Sequence, residues 1–565
     1  MHNRRIFAVV ILLAVLLPAA GFPQPLVDGP VVWYEDDRRP IPEPRERDPN
    51  LIWDYVDDSL VLPIQRLTHP GRLIRRVGTV FGGDPVAAAA NVNTLDEVPN
   101  STWFTNRIGL FPLSPERVAR GAGTGSGPDR TGKWTVVSAK TQGVTPGFSI
   151  RDARGGAYLI KFDPPGHLGM TTGAGVICDR ILYAAGYNVP DDAVVIFDRN
   201  DLVLGEDVKI KTEDGSRRSM TEDDLGRIFT KVDRLPDGRI HAISSKYLEG
   251  TPIGPFDYHG RRKDDPNDLV RHEDRRELRG LAVFSAWLGH HDTKQHNSLD
   301  TFVGDGGTGY VRHHLIDFAS TLGAGAKGLI PRYNYEYTFD PEAMVHRALA
   351  LGLYEDPWRR LKRPEGVDEV GYLESREFEL TGFKPVQPNS AFANLTDRDG
   401  YWAAKIISAF TDGHLRAIVE QAGFRNPEAT RYVARVLGER RDKIARYFFD
   451  RVAPLDFFVY SGNRIEFHDL GAERGIYPGT RAGYRVRLAA ARVDRSNGGW
   501  TDWFALEETV IPADGPEARS VLDDAGPSEY PFLAVECQVN RGRRWSSPVR
   551  VYLSRARRDI IALDR

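Results

Sequence analysis

The sequence predicts an α+β protein of several domains, and three stretches of distinct hydrophobic period carry that prediction. Around residues 134–162 the chain reads as strands: in AYLIKF, Tyr158, Ile160 and Phe162 face one side while Leu159 and Lys161 face the other. Helical spacing follows, with Leu278, Leu281, Phe284 and Leu288 on one stripe and two long amphipathic runs over 401–424 and 429–452. From about Asp456 the period returns to two, in short runs spaced like a β-sandwich of about one hundred residues.

At 565 residues the chain exceeds one domain, and its 27% charged and 41% hydrophobic residues supply an ordinary soluble balance. Lys and Arg number 75 against 78 Asp and Glu, so no global charge draws the protein to nucleic acid. Residues 1–21 read as a signal peptide: His2 to Arg5 form a basic start, IFAVVILLAVLLPAA is a short apolar core, and small residues follow. The expected location is therefore exported, periplasmic or secreted, with no later stretch apolar enough to span a membrane. Cys178 and Cys537 are the only cysteines and read as buried small hydrophobes.

Residues 22–130 form an N-terminal extension that starts Pro-rich and ends in a Gly-rich run, GAGTGSGP, which reads as a flexible linker. Within it, the aromatic-bearing stretch 91–107 has the character of a docked loop. A strand-rich lobe spans 131–250. It holds two strands around a loop with Gly143 and Gly147, the strand of Lys161, a helix from about Thr171 to Gly186, and the strand DDAVVIF. The charged segment 208–226 reads as an exposed insertion with a solvated face. A helical lobe spans 251–455, and the strand-rich domain at 456–565 has no catalytic cluster and is a candidate site for a protein partner.

The stretch 279–318 carries the chemistry. A helix ending at Gly289 delivers the polar loop HHDTKQHN, 290–297, and a hairpin over SLDTFV and YVRHHLIDF returns the chain to Asp317. An aspartate there can accept a hydroxyl proton, a lysine two residues on can hold a transferring phosphate, and an Asn with a second Asp can hold Mg²⁺. The same histidines and aspartates, His290, His291, Asp292, His296, His313, His314 and Asp317, also suit a metal-dependent phosphohydrolase of the HD type. A solvated polar loop is the third reading.

The order Asp292, Lys294, Asn297 and Asp317–Phe318 resembles the protein-kinase-like superfamily, whose pattern is H-R-D-L-K-x-x-N followed by D-F-G. The phrase AAGYNVP, 184–190, is similar to the helix-to-strand joint of HipA-type kinases, and the export signal adds an affinity with secretory-pathway kinases. The resemblance covers Trp134 to Ala319 and implies a bilobal kinase-like fold that transfers the γ-phosphoryl group of ATP or another nucleotide to a hydroxyl acceptor with Mg²⁺ or Mn²⁺. It implies catalytic roles for Asp292 and Lys294, metal binding by Asn297 and Asp317, and phosphate binding by Lys161 with the Gly143–Gly147 loop. Backbone groups at Tyr247 and Leu248 would meet the base. The chain departs from the pattern with His291 for Arg, Ala319 for Gly, and Gly175 where the family's helix carries a Glu. Asp179, one turn on, is the nearest acid, and it or another acid is expected within about 4 Å of the Lys161 amine; a catalytically dead scaffold is the competing expectation.

Overall fold

A computed structural model describes residues 25–47, 86–140, 147–211, 217–325, 328–329, 331, 334–350, 355–523, 525–542 and 544–565. The expected signal peptide and Gly143 lie outside these residues.

The strand-rich unit is built from β1 (Trp134–Lys140), β2 (Gly147–Arg151), β3 (Ala157–Lys161), helix α1 (Met170–Ala185), β4 (Asp192–Phe197) and β5 (Ile240–Lys246). They form a sheet in the order β4-β5-β3-β2-β1, with Leu202–Leu204 added in parallel at the β1 edge. The alternation read in the sequence sorts the faces: Phe148, Ile150, Tyr158, Ile160, Phe162 and Ala242 enter one apolar core. The expectation of a solvated insertion at 208–226 is corrected here. Val208, Ile210, Met220 and Leu225, followed by Ile228 and Phe229, enter that core. Helix α1 packs on the opposite face, against β4 and β5.

The helical unit contains α2 (Arg276–Leu288), the hairpin β6 (Ser298–Asp305) and β7 (Thr308–Leu315), and helices α3 (Asp397–Ile407), α4 (Asp412–Glu420) and α5 (Pro427–Phe449). Their apolar stripes meet in a second core with Phe284, Trp287, Trp402 and Phe448 at its centre. The extension belongs to this core: Val98, Trp103 and Phe104 are buried in it, and the Trp103 ring stacks on His313 at 3.5 Å. Ile41–Pro42 adds a short strand to the edge of β7. The Gly-rich run is packed as well: Thr124 donates its backbone N–H to Asp191, and Gly121 lies against the Arg180 guanidinium, so it is no free linker.

Beyond α5 a three-stranded and a five-stranded antiparallel sheet share one apolar core, from Ile465 and Ile511 on one side to Val486, Leu488 and Val535 on the other. Arg565 meets Asp456 at 2.6 Å in a buried network that reaches Lys405 and Tyr401 of the helical unit. Among the described residues no helix is long and apolar enough to cross a membrane.

Candidate functional site

Helix α2 stops because Gly289 takes a left-handed conformation, φ 59°, which a side chain would resist. The chain then enters the 290–297 loop. His290 is buried with its ring edge-on to Phe318 at 5.8 Å, which ties the loop to the segment after β7. The hairpin register pairs Ser298 with Leu315, and Ile316 donates its N–H to the Asn297 carbonyl at 3.0 Å. Asn297 and Asp317 therefore flank the open end of one hairpin.

Asp317 has φ 61°, a conformation rare outside glycine and asparagine and of the kind that collects at functional sites. Its carboxylate lies 3.1 Å from the Lys161 ammonium, so β3 of the strand-rich unit touches the loop system of the helical unit. On the neighbouring loop Lys294 stands 2.8 Å from the Asp292 carboxylate, and the Asn297 amide donates to the Asp292 carbonyl at 2.7 Å. Burial pushes the Asp292 carboxyl up, but Lys294 and Asn297 together hold it below its ordinary value. The group is thus an ionised acceptor at neutral pH. Lys161 of the sheet thus meets Asp317, with Asp292, Lys294 and Asn297 on the adjoining loop, and we call the face of the sheet that carries Lys161 the cleft side.

Gly147 sits on β2 directly opposite Lys161, and a Cβ there would come within 2.8 Å of the Ile160 carbonyl, so only glycine lets these backbones approach. Tyr247 follows β5. Its N–H is already used on the Ala157 carbonyl, and its hydroxyl lies 2.7 Å from that of Ser149, so the ring crosses the cleft face of the sheet. Leu248 continues beside it, outside any strand.

The expectation for Asp179 is corrected. Its carboxylate is fully buried and bonds to Arg180 at 2.6 Å instead of reaching Lys161, since that part of α1 faces β4 and the Gly-rich run. Gly175 does face the site: its nearest neighbours are Ile243 and the backbone of Phe318 and Ala319. Two residues went unread in the sequence. Asp163 accepts from the backbone N–H groups of Gly169, Thr171 and Thr172 and from both threonine hydroxyls, capping α1 from the end of β3. Asp192 opens β4 on the cleft side of the sheet. Neither bears a local signal, because an Asp at a strand end reads as a turn former.

The histidines are spent on packing. His313 bonds Asp300 at 2.6 Å, His314 lies beside Thr301, and burial drives the His291 imidazole down to about 4. Among the described residues no group of three or more His, Cys, Asp or Glu is arranged to hold a metal ion, as an HD-type site would need. The Asp317 carboxylate and the Asn297 amide oxygen are hard donors of the kind Mg²⁺ or Mn²⁺ takes alongside phosphate oxygens, and they fit that donor set.

No protein-family model and no curated protein matches the chain. Solved structures do. A proinflammatory kinase of Helicobacter pylori is similar over 54% of this chain and 94% of its own, at 11% identity and a TM-score of 0.28. The Golgi casein kinase covers 57% of this chain and 74% of its own, at 10% identity and a TM-score of 0.26. The same kinase with Mn/ADP bound covers 57% of this chain and 72% of its own, at 9% identity and a TM-score of 0.24. Likeness of this degree assigns no residue a role.

Proposed function

We propose that this protein is an exported, atypical kinase-like phosphotransferase: it binds a nucleotide with Mg²⁺ or Mn²⁺ in the cleft and transfers the terminal phosphoryl group to a hydroxyl acceptor. The observation that carries the reading is the contact between Lys161 and Asp317, two residues from different units, beside Asp292 and Asn297. When bound, the divalent cation would neutralise phosphate charge. Asp317 and Asn297 are the residues that would hold it. Lys161, beside Gly147, would hold phosphate oxygens, and Lys294 would offset charge on the group in transfer. Asp292, ionised and 2.8 Å from Lys294, would accept the proton of the incoming hydroxyl. Export rests on residues 1–21, the bilobal reading on the motif order, the HipA-type affinity on the AAGYNVP joint at 184–190, and the paired sheets at 456–565 read as a β-sandwich suited to a protein partner.

A scaffold that binds without turnover is the second reading. It is favoured by Gly175, which leaves helix α1 without an acid for Lys161. A melting-temperature screen of nucleotides with and without Mg²⁺ or Mn²⁺, followed by phosphate transfer to casein or to water, separates the readings. Saturating nucleotide at about a hundred times its Kd should add about 2.7 kcal/mol. Binding with turnover supports the transferase, binding alone supports the scaffold, and no metal-dependent binding removes both.

A further inference from the structure

Lys161 presents a problem of geometry. Its partner in the structure is Asp317, the residue that the proposed function turns towards a metal. A lysine that loses its only ion-pair partner to a cation is left without a group to aim it. Among the described residues, no other acid lies within ion-pair distance of its ammonium, and helix α1 offers glycine at the facing position.

Strand β4 offers a carboxylate instead. Asp192 pairs in register with Ser245, and Ser245 with Leu159. One row along, Val194 pairs with Ile243 and Ile243 with Lys161. Directly opposite residues share a face, so Asp192 and Lys161 both project from the cleft side of the sheet. With strands about 4.8 Å apart and about 3.3 Å per residue, their Cα atoms are about 12 Å apart, which a lysine and an aspartate side chain together just bridge. Asp192 is 5% exposed, and one of its carboxylate oxygens has no hydrogen-bond partner among the described residues. Ser245 lies opposite Asp192 in register and acts to lower its carboxyl. Arg180, the nearest guanidinium, is committed elsewhere: to the Ala119 carbonyl, the Asp179 carboxylate and the Asp192 backbone carbonyl. Burial raises the Asp192 carboxyl, while Ser245 and then Lys161 act to lower it, as expected of a carboxylate within the lysine's field.

We propose that Asp192 is the positioning residue for Lys161, holding its ammonium towards the phosphates when Asp317 is engaged by metal, and so replacing from strand β4 the acid that helix α1 lacks. This rests on the nucleotide-binding reading above. Gly175 supplies the means of testing it. A side chain there would point at the Ile243 methyl, 3.0 Å from its Cβ, next to Phe318 and Ala319, and a Glu could reach the same lysine from the helix.

The experiment measures the Kd of ATP with Mg²⁺ by calorimetry on the full chain, with the unliganded melting temperature of each variant as the check on folding. Asp192→Asn, which keeps the shape and removes the charge, is expected to weaken binding about tenfold or more. In a Lys161→Ala background the same change should cost nothing further, because its effect passes through the lysine. Adding Gly175→Glu to Asp192→Asn should bring the affinity back to within about threefold of the wild type. Full affinity in Asp192→Asn, an equal loss with and without Lys161, or no recovery on adding Gly175→Glu overturns the proposal. No binding by the wild type overturns the nucleotide reading itself and takes this proposal with it.

Discussion

Asp292 and Asp317 carry the same functional group in different surroundings, and the surroundings predict different failures. Asp317→Asn keeps a residue that tolerates a positive φ but removes the charge that faces Lys161 and, on the proposed function, would hold the cation, so metal-dependent nucleotide binding should fall together with turnover. Asp292→Asn leaves the proposed cation donors, Asn297 and Asp317, in place. It should bind nucleotide almost as the wild type does while losing about 10²–10⁴ in rate, as for a positioned acid–base group. Calorimetry and a transfer assay on the two variants distinguish these outcomes, and loss of nucleotide binding in Asp292→Asn would refute the division of labour. His314 gives a test of stability against pH. Burial pushes its imidazole down to about 3 from an ordinary value near 6.5, so folding favours the neutral ring. Its contribution is complete above pH 6.5 and is lost as the pH falls towards 3, at about 1.4 kcal/mol per pH unit. Urea unfolding at pH 6 and pH 4 should therefore show a smaller fall in stability for His314→Gln than for the wild type.

At the scale of elements, the site depends on helix α1 being held in place at its first turn. Asp163 answers three backbone donors at once, which burial would otherwise leave unsatisfied. The helix in turn lies against the Asp317 segment through Gly175, and the Ala174 carbonyl accepts from the Thr321 hydroxyl at 3.2 Å. Asp163→Ala should cost about 2 kcal/mol in stability and weaken nucleotide binding as well, although Asp163 touches neither Lys161 nor Asp317. Asp163→Asn, which keeps an acceptor, should recover part of both. Chemical unfolding and Kd measured on the same preparations check this, and a stability loss with unchanged affinity would break the link from cap to cleft.

Across the whole molecule, the added sheets are fastened to the helical unit by charge as well as by apolar contact. Arg565 donates to the Ala453 and Leu455 carbonyls, pairs with Asp456 and approaches Asp96, which also binds Arg276. Glu97 reaches the same network through Lys405. Removing one partner from a buried pair strands the other in a low-dielectric interior. Arg565→Ala is expected to destabilise the protein by about 3 kcal/mol, read as a lower urea midpoint. An unchanged midpoint would mean that Lys405 and Tyr401 satisfy Asp456 alone. The extension is fastened similarly: Leu26 packs among Phe532, Tyr552 and Ile561, while Trp103 lies in the helical core.

The sequence by itself determined the features that repeat over short distances. The period-two run at 157–162, the stripe from Leu278 to Leu288, the stop at Gly289 and the hairpin after Asn297 all follow from neighbours a few residues apart. The spacing from Asp292 to Asp317 was legible for the same reason, since a helix end and a tight hairpin leave few ways to arrange the residues between them. Only the tertiary structure decided that Asp317, and not Asp179, meets Lys161. Asp179 was the acid the sequence offered, but its helix turns it to Arg180, while the unread Asp192 is carried to the sheet face of Lys161 by the register of β4 on β5. The same holds for Asp163, for the apolar cover at 208–229 and for the packed Gly-rich run. Each depends on pairings between segments far apart in the chain, and such pairings are set by which surfaces remain to be buried after the local elements form.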